Sequence, residues 1–350
     1  MTAAHGIAAF SPTAPLAPWR FDRRDPGPRD VRIDVLYCGI CHSDLHTVRG
    51  EWGPIDYPQV PGHEIIGRVA AVGGEVRGFR EGQLVGVGCM VDSCRECENC
   101  REGLEQYCDV GFTGTYGGVE RETGRPTQGG YSNSIVVDDR YVLTVPEGLD
   151  PASAAPLLCA GITTYSPLRE FGLKAGQRLG VVGLGGLGHM AVKLGRAMGA
   201  EVTLFTTSPN KAEDARRLGA TEVVVSRDAA QMKAVRNSLD LILDTVSAPH
   251  ALDPELDALR RDGTLVLLGG SPEPHAIGAV WPFITRRRRL AGSLIGGIRE
   301  TQEMLDFCAA HGFGADVEVV RPDYVNEAYE RMLRSDVKYR FVLDMSALGV

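Results

Sequence analysis

The feature that most restricts the fold of this 350-residue chain is a run with four glycines in six positions, Gly183-Leu-Gly-Gly-Leu-Gly188. It follows an apolar stretch, Leu179-Gly-Val-Val182, and opens a segment of helical length and spacing, His189 to Met198. Between strand and helix, such a run forms a tight turn: the first glycine frees the backbone, the second lets a ligand approach, and the third lets the helix close on the strand. The surrounding rhythm agrees. Apolar strands are predicted at Arg178 to Val182, Glu201 to Phe205, Glu222 to Val225, Leu239 to Leu243 and Thr264 to Leu268. Segments such as Met190 to Met198 and Ala212 to Leu218 have helical spacing between them. This alternation predicts a doubly wound parallel sheet.

In that setting Gly183, Leu184, Gly185, Gly186, Leu187 and Gly188 are expected to cradle a dinucleotide pyrophosphate, helped by the N–H groups at the helix start. The end of the second strand discriminates between dinucleotides. An acid there would accept the ribose hydroxyls of NAD and repel a 2′-phosphate, but the chain reads Phe205-Thr-Thr-Ser-Pro-Asn-Lys211. Thr206, Thr207, Ser208 and Lys211 offer hydrogen-bond donors and a positive charge to a phosphate, which predicts NADP(H). Glu213 and Asp214 fall in the next helix, where first-turn acids are ordinary.

The first 150 residues follow a different pattern. Val31 to Tyr37, Gly67 to Val72, Gln83 to Val87 and Tyr131 to Val137 read as short strands bounded by turn residues, a barrel-like β region with long loops. The net charge of −8 argues against a broad nucleic-acid surface. The basic block Arg286 to Arg289 reads as a solvated edge or local contact. No run of 18 apolar residues exists, and Met1 to Phe10 lacks a secretory pattern, so neither membrane nor export is expected and the cytoplasm is. There, nine cysteines are expected to be metal ligands or buried thiols, not disulfides.

Four of them stand as Cys94, Cys97, Cys100 and Cys108 in a polar, turn-rich loop. Three thiols at i, i+3 and i+6 wrap one point and a fourth closes a tetrahedron, which suits a structural zinc with no open position. An iron–sulfur cluster or a redox Cys-x-x-Cys pair fits that spacing less well. Cys41, His63 and Cys159 would meet the needs of a catalytic zinc, two thiolates and an imidazole with one position free. Spacing alone does not select these three. Cys159 also reads as an inert core thiol, and Glu64 as either an intermittent ligand or base or an N-capping glutamate. Asp44 reads equally as a partner that orients His63 and as a turn-stabilising acid. Ser43 followed by His46 could pass a proton between a bound alcohol and water.

Taken together, Gly39-Ile-Cys-His-Ser-Asp-Leu-His46, Pro61-Gly-His-Glu64, the Cys94 to Cys100 spacing, Thr127-Gln-Gly-Gly-Tyr131, Leu158-Cys-Ala-Gly-Ile-Thr163, the glycine run and Gly292-Ser-Leu-Ile295 resemble the zinc-dependent medium-chain alcohol dehydrogenases. Within them the likeness is to the NADP-dependent cinnamyl alcohol dehydrogenase branch, and it spans nearly the whole chain. The resemblance implies a GroES-like β-barrel catalytic domain from residues 1–148 and 290–350, with a structural zinc lobe at about 89–112. A Rossmann domain would occupy 149–289, with a cleft at the junction and a homodimer as the usual assembly. It implies two zinc ions per chain, one held by Cys41, His63 and Cys159 with Glu64 joining in some states, and Ser43 and His46 as the proton relay. Thr163, Thr245, Gly269, Ser293, Leu294 and Ile295 would lie along the cofactor, as would Ser43. Trp52 reads as a wall of the substrate cleft or as a core residue, and Phe112 as a weaker candidate wall. The stretch Cys108 to Tyr116 lacks the tryptophan of the plant lignin enzymes, so in place of strict cinnamyl specificity a broad NADP(H)-linked enzyme is expected, interconverting primary alcohols and aldehydes, aromatic or aliphatic. The rival readings are a zinc enzyme for a polyol or a formaldehyde–thiol adduct, and a nonenzymatic zinc or redox sensor that binds a dinucleotide.

Overall fold

The computed structural model describes residues 1–271 and 273–348, so the last two positions of the expected 290–350 stretch lie outside the described residues. The chain divides into two compact units, Met1–Cys159 with Gly296–Val350, and Ala160–Ile295.

The second unit contains the alternating pattern. Its six strands lie in the spatial order Glu222–Val225, Glu201–Thr206, Arg178–Val182, Leu239–Asp244, Leu259–Leu267, Arg289–Gly292, and every neighbouring pair is parallel. Leu179, Val181, Val202, Leu204, Ile242, Leu243, Leu265 and Val266 are fully buried, as strands covered on both faces require. The first strand in sequence lies inside the sheet, with the chain running outward on either side of it. Gly183 therefore sits at the reversal point, where doubly wound sheets leave a crevice at their carboxyl ends.

The helix after the glycine turn runs Gly186–Ala197, beginning three residues before the apolar periodicity does, with Gly185 as N-cap. Met190, Ala191, Val192 and Leu194 are its buried face. Two glycines are dictated by the geometry. Gly183 has φ +88°, and a Cβ on Gly188 would stand 2.1 Å from the Gly183 carbonyl oxygen. Gly185, in contrast, has nothing within 4 Å of where a Cβ would be.

In the first unit Asp30–Gly39 is the central strand. Val31, Ile33 and Val35 point into the core and alternate with Arg32 and Asp34, a period of two that sets the register. It pairs antiparallel with Ile65–Val72 and Ser134–Asp138, and near its end with Arg340–Asp344. Leu84–Val87, Leu143–Thr144 and Val317–Val320 complete a seven-stranded sheet. A hairpin of Thr2–Ala8 with Ala17–Arg23, absent from the sequence reading, forms a separate two-stranded sheet.

The division of the chain differs from the expectation of 148/149 and 289/290. Residues 151–158 are a buried helical stretch of the first unit, with Leu158 against Gly86 of the strand Leu84–Val87. Leu290, read from sequence as the start of the returning catalytic segment, lies within Arg289–Gly292, the sixth strand of the parallel sheet. A four-residue apolar strand carries no mark of which sheet it will join. Among the described residues no helix is long and apolar enough to cross a membrane.

Replacing Gly188 by Ala forces its Cβ into the Gly183 carbonyl and is expected to lower stability by about 1–3 kcal/mol, read as a fall of several degrees in Tm. Gly185→Ala, with open space at the same turn, should leave Tm unchanged; equal Tm values for the two variants would refute the steric account.

Candidate active site

Cys41 caps the short helix His42–Val48 with extended backbone, φ −112° and ψ 153°. Asp44, at the third helical position, closes the cap by accepting the Cys41 N–H at 2.8 Å. The same carboxylate, fully buried, accepts the Gly62 N–H at 3.1 Å, the Tyr131 hydroxyl at 3.1 Å and His63 Nδ1 at 3.0 Å. Both readings of Asp44 thus hold at once: it stabilises the turn and it orients His63. A carboxylate on Nδ1 fixes the proton there and leaves Nε2 with its lone pair for a metal.

Around that imidazole the fold gathers Cys41, Glu64 and Cys159, and one ligand atom from each of the four lies within 4.8 Å of all the others. Cys41 Sγ and Cys159 Sγ are 4.0 Å apart, across 118 residues of sequence. Cys159 directly follows the buried residues 155–158, which fix its position in the first unit. All four side chains are buried.

The charges are arranged accordingly. A hydrogen bond from Cys159 holds the Cys41 thiol well below the ordinary range against the opposing effect of burial, and Arg340 and His63 reinforce it. Cys159, which keeps the proton, is pushed well above that range and also faces Cys89. Burial opposes a charged His63, but the Asp44 carboxylate outweighs it and raises the imidazole. Burial lifts the Glu64 carboxyl to about 7, against the pull of Arg340. Arg340 is itself buried, yet Glu64 and the two thiols keep it charged. Its guanidinium donates to Glu64 Oε1, while Glu64 Oε2 has no partner among the described residues. Two thiols, an imidazole nitrogen and an orphaned carboxylate oxygen converging in a buried place are a donor set that a zinc ion satisfies.

Ser43 and His46 lie one turn apart on the helix that Cys41 caps. The Ser43 hydroxyl lies 3.5 Å from Cys41 Sγ. His46, about a quarter exposed, is bonded through Nδ1 to Glu51 and covered by Trp52, whose ring stacks on it at 5.2 Å. Trp52 is 57% exposed, which removes the core reading. Phe112 is half-buried beside the strand Thr113–Gly114; the aromatic ring against His63 is that of Tyr116, at 5.6 Å. Tyr116, Tyr131, Glu51 and Arg340 escaped the sequence reading. Tyr131 closes one of the quoted motifs, but Arg340 reaches Glu64 across 276 residues and nothing local marks it.

Cys94, Cys97, Cys100 and Cys108 form the second four-donor group, again within 4.8 Å of one another. The Cys97 N–H points at Cys94 Sγ (3.3 Å) and the Cys94 N–H at Cys108 Sγ (3.4 Å), the donors that thiolates need. Ser93 Oγ touches Cys100 Sγ and the Tyr141 hydroxyl, at 3.1 and 2.7 Å, tying the lobe to the sheet.

In the second unit, Thr206 ends its strand with Oγ1 accepting the Ser208 N–H at 3.1 Å, and Thr207 is exposed beside it. Lys211 Nζ donates to the Leu184 carbonyl at 3.1 Å, so the lysine lies against the glycine turn. Thr245 Oγ1 donates to the Val182 carbonyl at 2.7 Å, and a Cβ on Gly269 would meet the Val246 carbonyl at 2.3 Å. Thr163 is buried in the helix Ala160–Glu170. Ser293 follows the edge strand, Leu294 is exposed and Ile295 is buried. No acid stands at the Thr206 position.

Residues 27–147 match the alcohol dehydrogenase GroES-like domain and residues 186–310 match the zinc-binding dehydrogenase domain. The chain is 57% identical over 343 residues to the aldehyde reductase YahK of Escherichia coli, covering 98% of each. Among solved structures it is similar to a cinnamyl alcohol dehydrogenase from Sorghum bicolor (48% identity, TM-score 0.95, covering 99% of this chain and 98% of that one). It is also similar to the cinnamyl alcohol dehydrogenase of Helicobacter pylori complexed with NADP(H) (41% identity, TM-score 0.92, 99% of each chain). With both of its halves matched and full-length relatives far above 30% identity, the chain belongs to the zinc-binding alcohol dehydrogenase family, in the cinnamyl alcohol dehydrogenase-like branch.

Proposed function

We propose that this protein interconverts primary alcohols and aldehydes of broad structure, aromatic or aliphatic, with NADP(H) as redox partner. The observation that carries the reading is the buried set of Cys41, His63 and Cys159 with an orphaned Glu64 oxygen beside it. When bound, zinc at these residues supplies Lewis acidity toward the substrate oxygen, and the nicotinamide supplies or takes the hydride. The protein's own groups do the rest. Asp44 keeps the proton on His63 Nδ1 and so keeps Nε2 a ligand atom. Arg340 balances part of the negative charge of Glu64 and Cys41. Ser43 Oγ and the His46 imidazole move the reaction proton between the buried site and water, with Glu51 holding His46 Nδ1 and Trp52 shielding the ring.

Thr206, Thr207, Ser208 and Lys211 receive the 2′-phosphate in this reading, supported by the bond from Lys211 to the glycine turn and by the missing acid. Cys94, Cys97, Cys100 and Cys108 hold a second, structural zinc. A reducing compartment, the cytoplasm, suits a chain in which no two of the nine cysteines are joined in a disulfide. Homodimerisation is supported by the second unit's edge. Arg289–Gly292 has a ladder on one side, and Val280, Trp281 and Ile284 stand mostly exposed on the preceding helix.

Cys41→Ser and Cys159→Ser are expected to cut aldehyde reduction at least about a hundredfold and to release one of two zinc ions, while NADPH still binds; an active, one-zinc variant would sink the reading. Thr206→Asp should lower the NADPH to NADH preference in kcat/KM by about tenfold or more, because a carboxylate repels the phosphate and bonds ribose hydroxyls. An unchanged ratio would remove the phosphate assignment. For the dimer, Trp281→Arg should shift sedimentation toward the monomer; a wild type that sediments as a monomer would refute it.

A further inference from the structure

The second unit contains a cluster of titratable groups for which neither the metal site nor the phosphate contacts have a use. Asp244 ends the strand Leu239–Asp244 and is buried. Its Oδ1 accepts the Val246 N–H at 3.0 Å, and its Oδ2 accepts His250 Nε2 at 2.9 Å. The other ring nitrogen of His250 faces the Ala248 carbonyl at 2.9 Å, and the His250 carbonyl accepts His275 Nδ1 at 3.1 Å. The two imidazoles meet edge to face at 4.9 Å, and Glu255 on the following helix faces both His250 and Asp244. A histidine whose two ring nitrogens lie against a backbone carbonyl and a buried carboxylate ties its own backbone segment down at two points.

What is tied down is a wall of the glycine turn. The atoms nearest a Cβ on Gly183 are Val246 Cγ2 (2.9 Å) and Thr245 Oγ1 (3.2 Å); the Thr245 oxygen also lies 3.4 Å from a Cβ on Gly188. The Asp244 carbonyl accepts the N–H groups of Leu268 and Gly269, so the segment on the other side hangs from the same residue. Asp244 itself is positioned by its strand, whereas residues 245–250 lie in no helix or strand. Thr245 is held on the turn by its own N–H and hydroxyl, both bonded to the Val182 carbonyl, whereas residues 246–250 are held through the side-chain bonds of Asp244 and His250.

We propose that His250 is a positioning residue for the dinucleotide site: its Nε2 bond to Asp244 clamps residues 246–248 against the glycine-rich turn, so that the pocket for the dinucleotide is preformed. The proposal rests on the NADP(H) reading above but concerns residues that are neither metal ligands nor phosphate contacts. Losing a hydrogen bond to a charged group at this clamp is expected to weaken dinucleotide binding by about tenfold or more, without altering the step that follows binding.

The test is fluorescence titration of NADPH with the zinc-loaded wild type, His250→Ala and His250→Gln, together with Tm and with kcat at saturating NADPH. The expected result is a Kd raised about tenfold or more in His250→Ala. It should return to within about threefold in His250→Gln, whose amide keeps a donor toward Asp244, with kcat and Tm near wild type in both. A His250→Ala variant that binds NADPH like wild type overturns the proposal. So does equal weakening in both variants with a lowered Tm, which would mark a general packing role. If the wild type binds NADH and not NADPH, the NADP(H) reading fails, and the same three proteins decide the His250 clamp with NADH as the probe.

Discussion

Much of the first unit is organised by one buried carboxylate. Asp44 takes hydrogen bonds from the backbone of Cys41 and Gly62, from the ring of His63 and from the hydroxyl of Tyr131. These groups come from three separate stretches of chain, so one side chain fixes the helix that presents Ser43 and His46, the loop that presents His63 and Glu64, and the segment leading to Ser134–Asp138. A buried carboxylate without donors would cost several kcal/mol, so its four bonds are mutually enforcing and hold the loops in place together.

The charges around the cysteines follow from the same economy of space. Cys41, Cys159, Glu64, His63 and Arg340 are all withdrawn from water, and a cluster of that kind is seldom a source of net stability. Its persistence is explained by chemistry. Thiols that share one proton at 4.0 Å and a carboxylate oxygen without a partner are what a doubly charged cation completes. The four-cysteine lobe solves a different problem, since the sulfurs of Cys94 and Cys108 accept backbone N–H groups of the lobe itself.

Each unit therefore hangs its site from an aspartate that accepts both backbone N–H and imidazole. Asp44 does so at a helix start and Asp244 at the end of a parallel strand. In both places regular structure sets the aspartate, and the aspartate sets irregular backbone. That division suits a binding site, whose loops must be shaped for a ligand yet held within a fraction of an ångström.

The parts that sequence determined by itself are those whose physics is local. A glycine run between strand and helix, four cysteines within fifteen residues, and hydroxyls with a lysine where an acid would mark NAD are each legible because spacing along the chain is spacing in space. Cys41, His63 and Cys159 became legible only through the joint likeness of many motifs to a known family, as no spacing rule joins thiols 118 residues apart. Tertiary structure alone decided the rest. It chose between the two readings of Asp44 by granting both, and turned Trp52 outward over His46. It set Tyr116 beside the imidazole, placed Arg289–Gly292 in the parallel sheet, and brought Arg340 to Glu64 and His250 to Asp244. The reason is the same each time: a side chain's partner across a sheet or a loop is set by how whole elements pack, and packing leaves no signature in the few residues on either side of it.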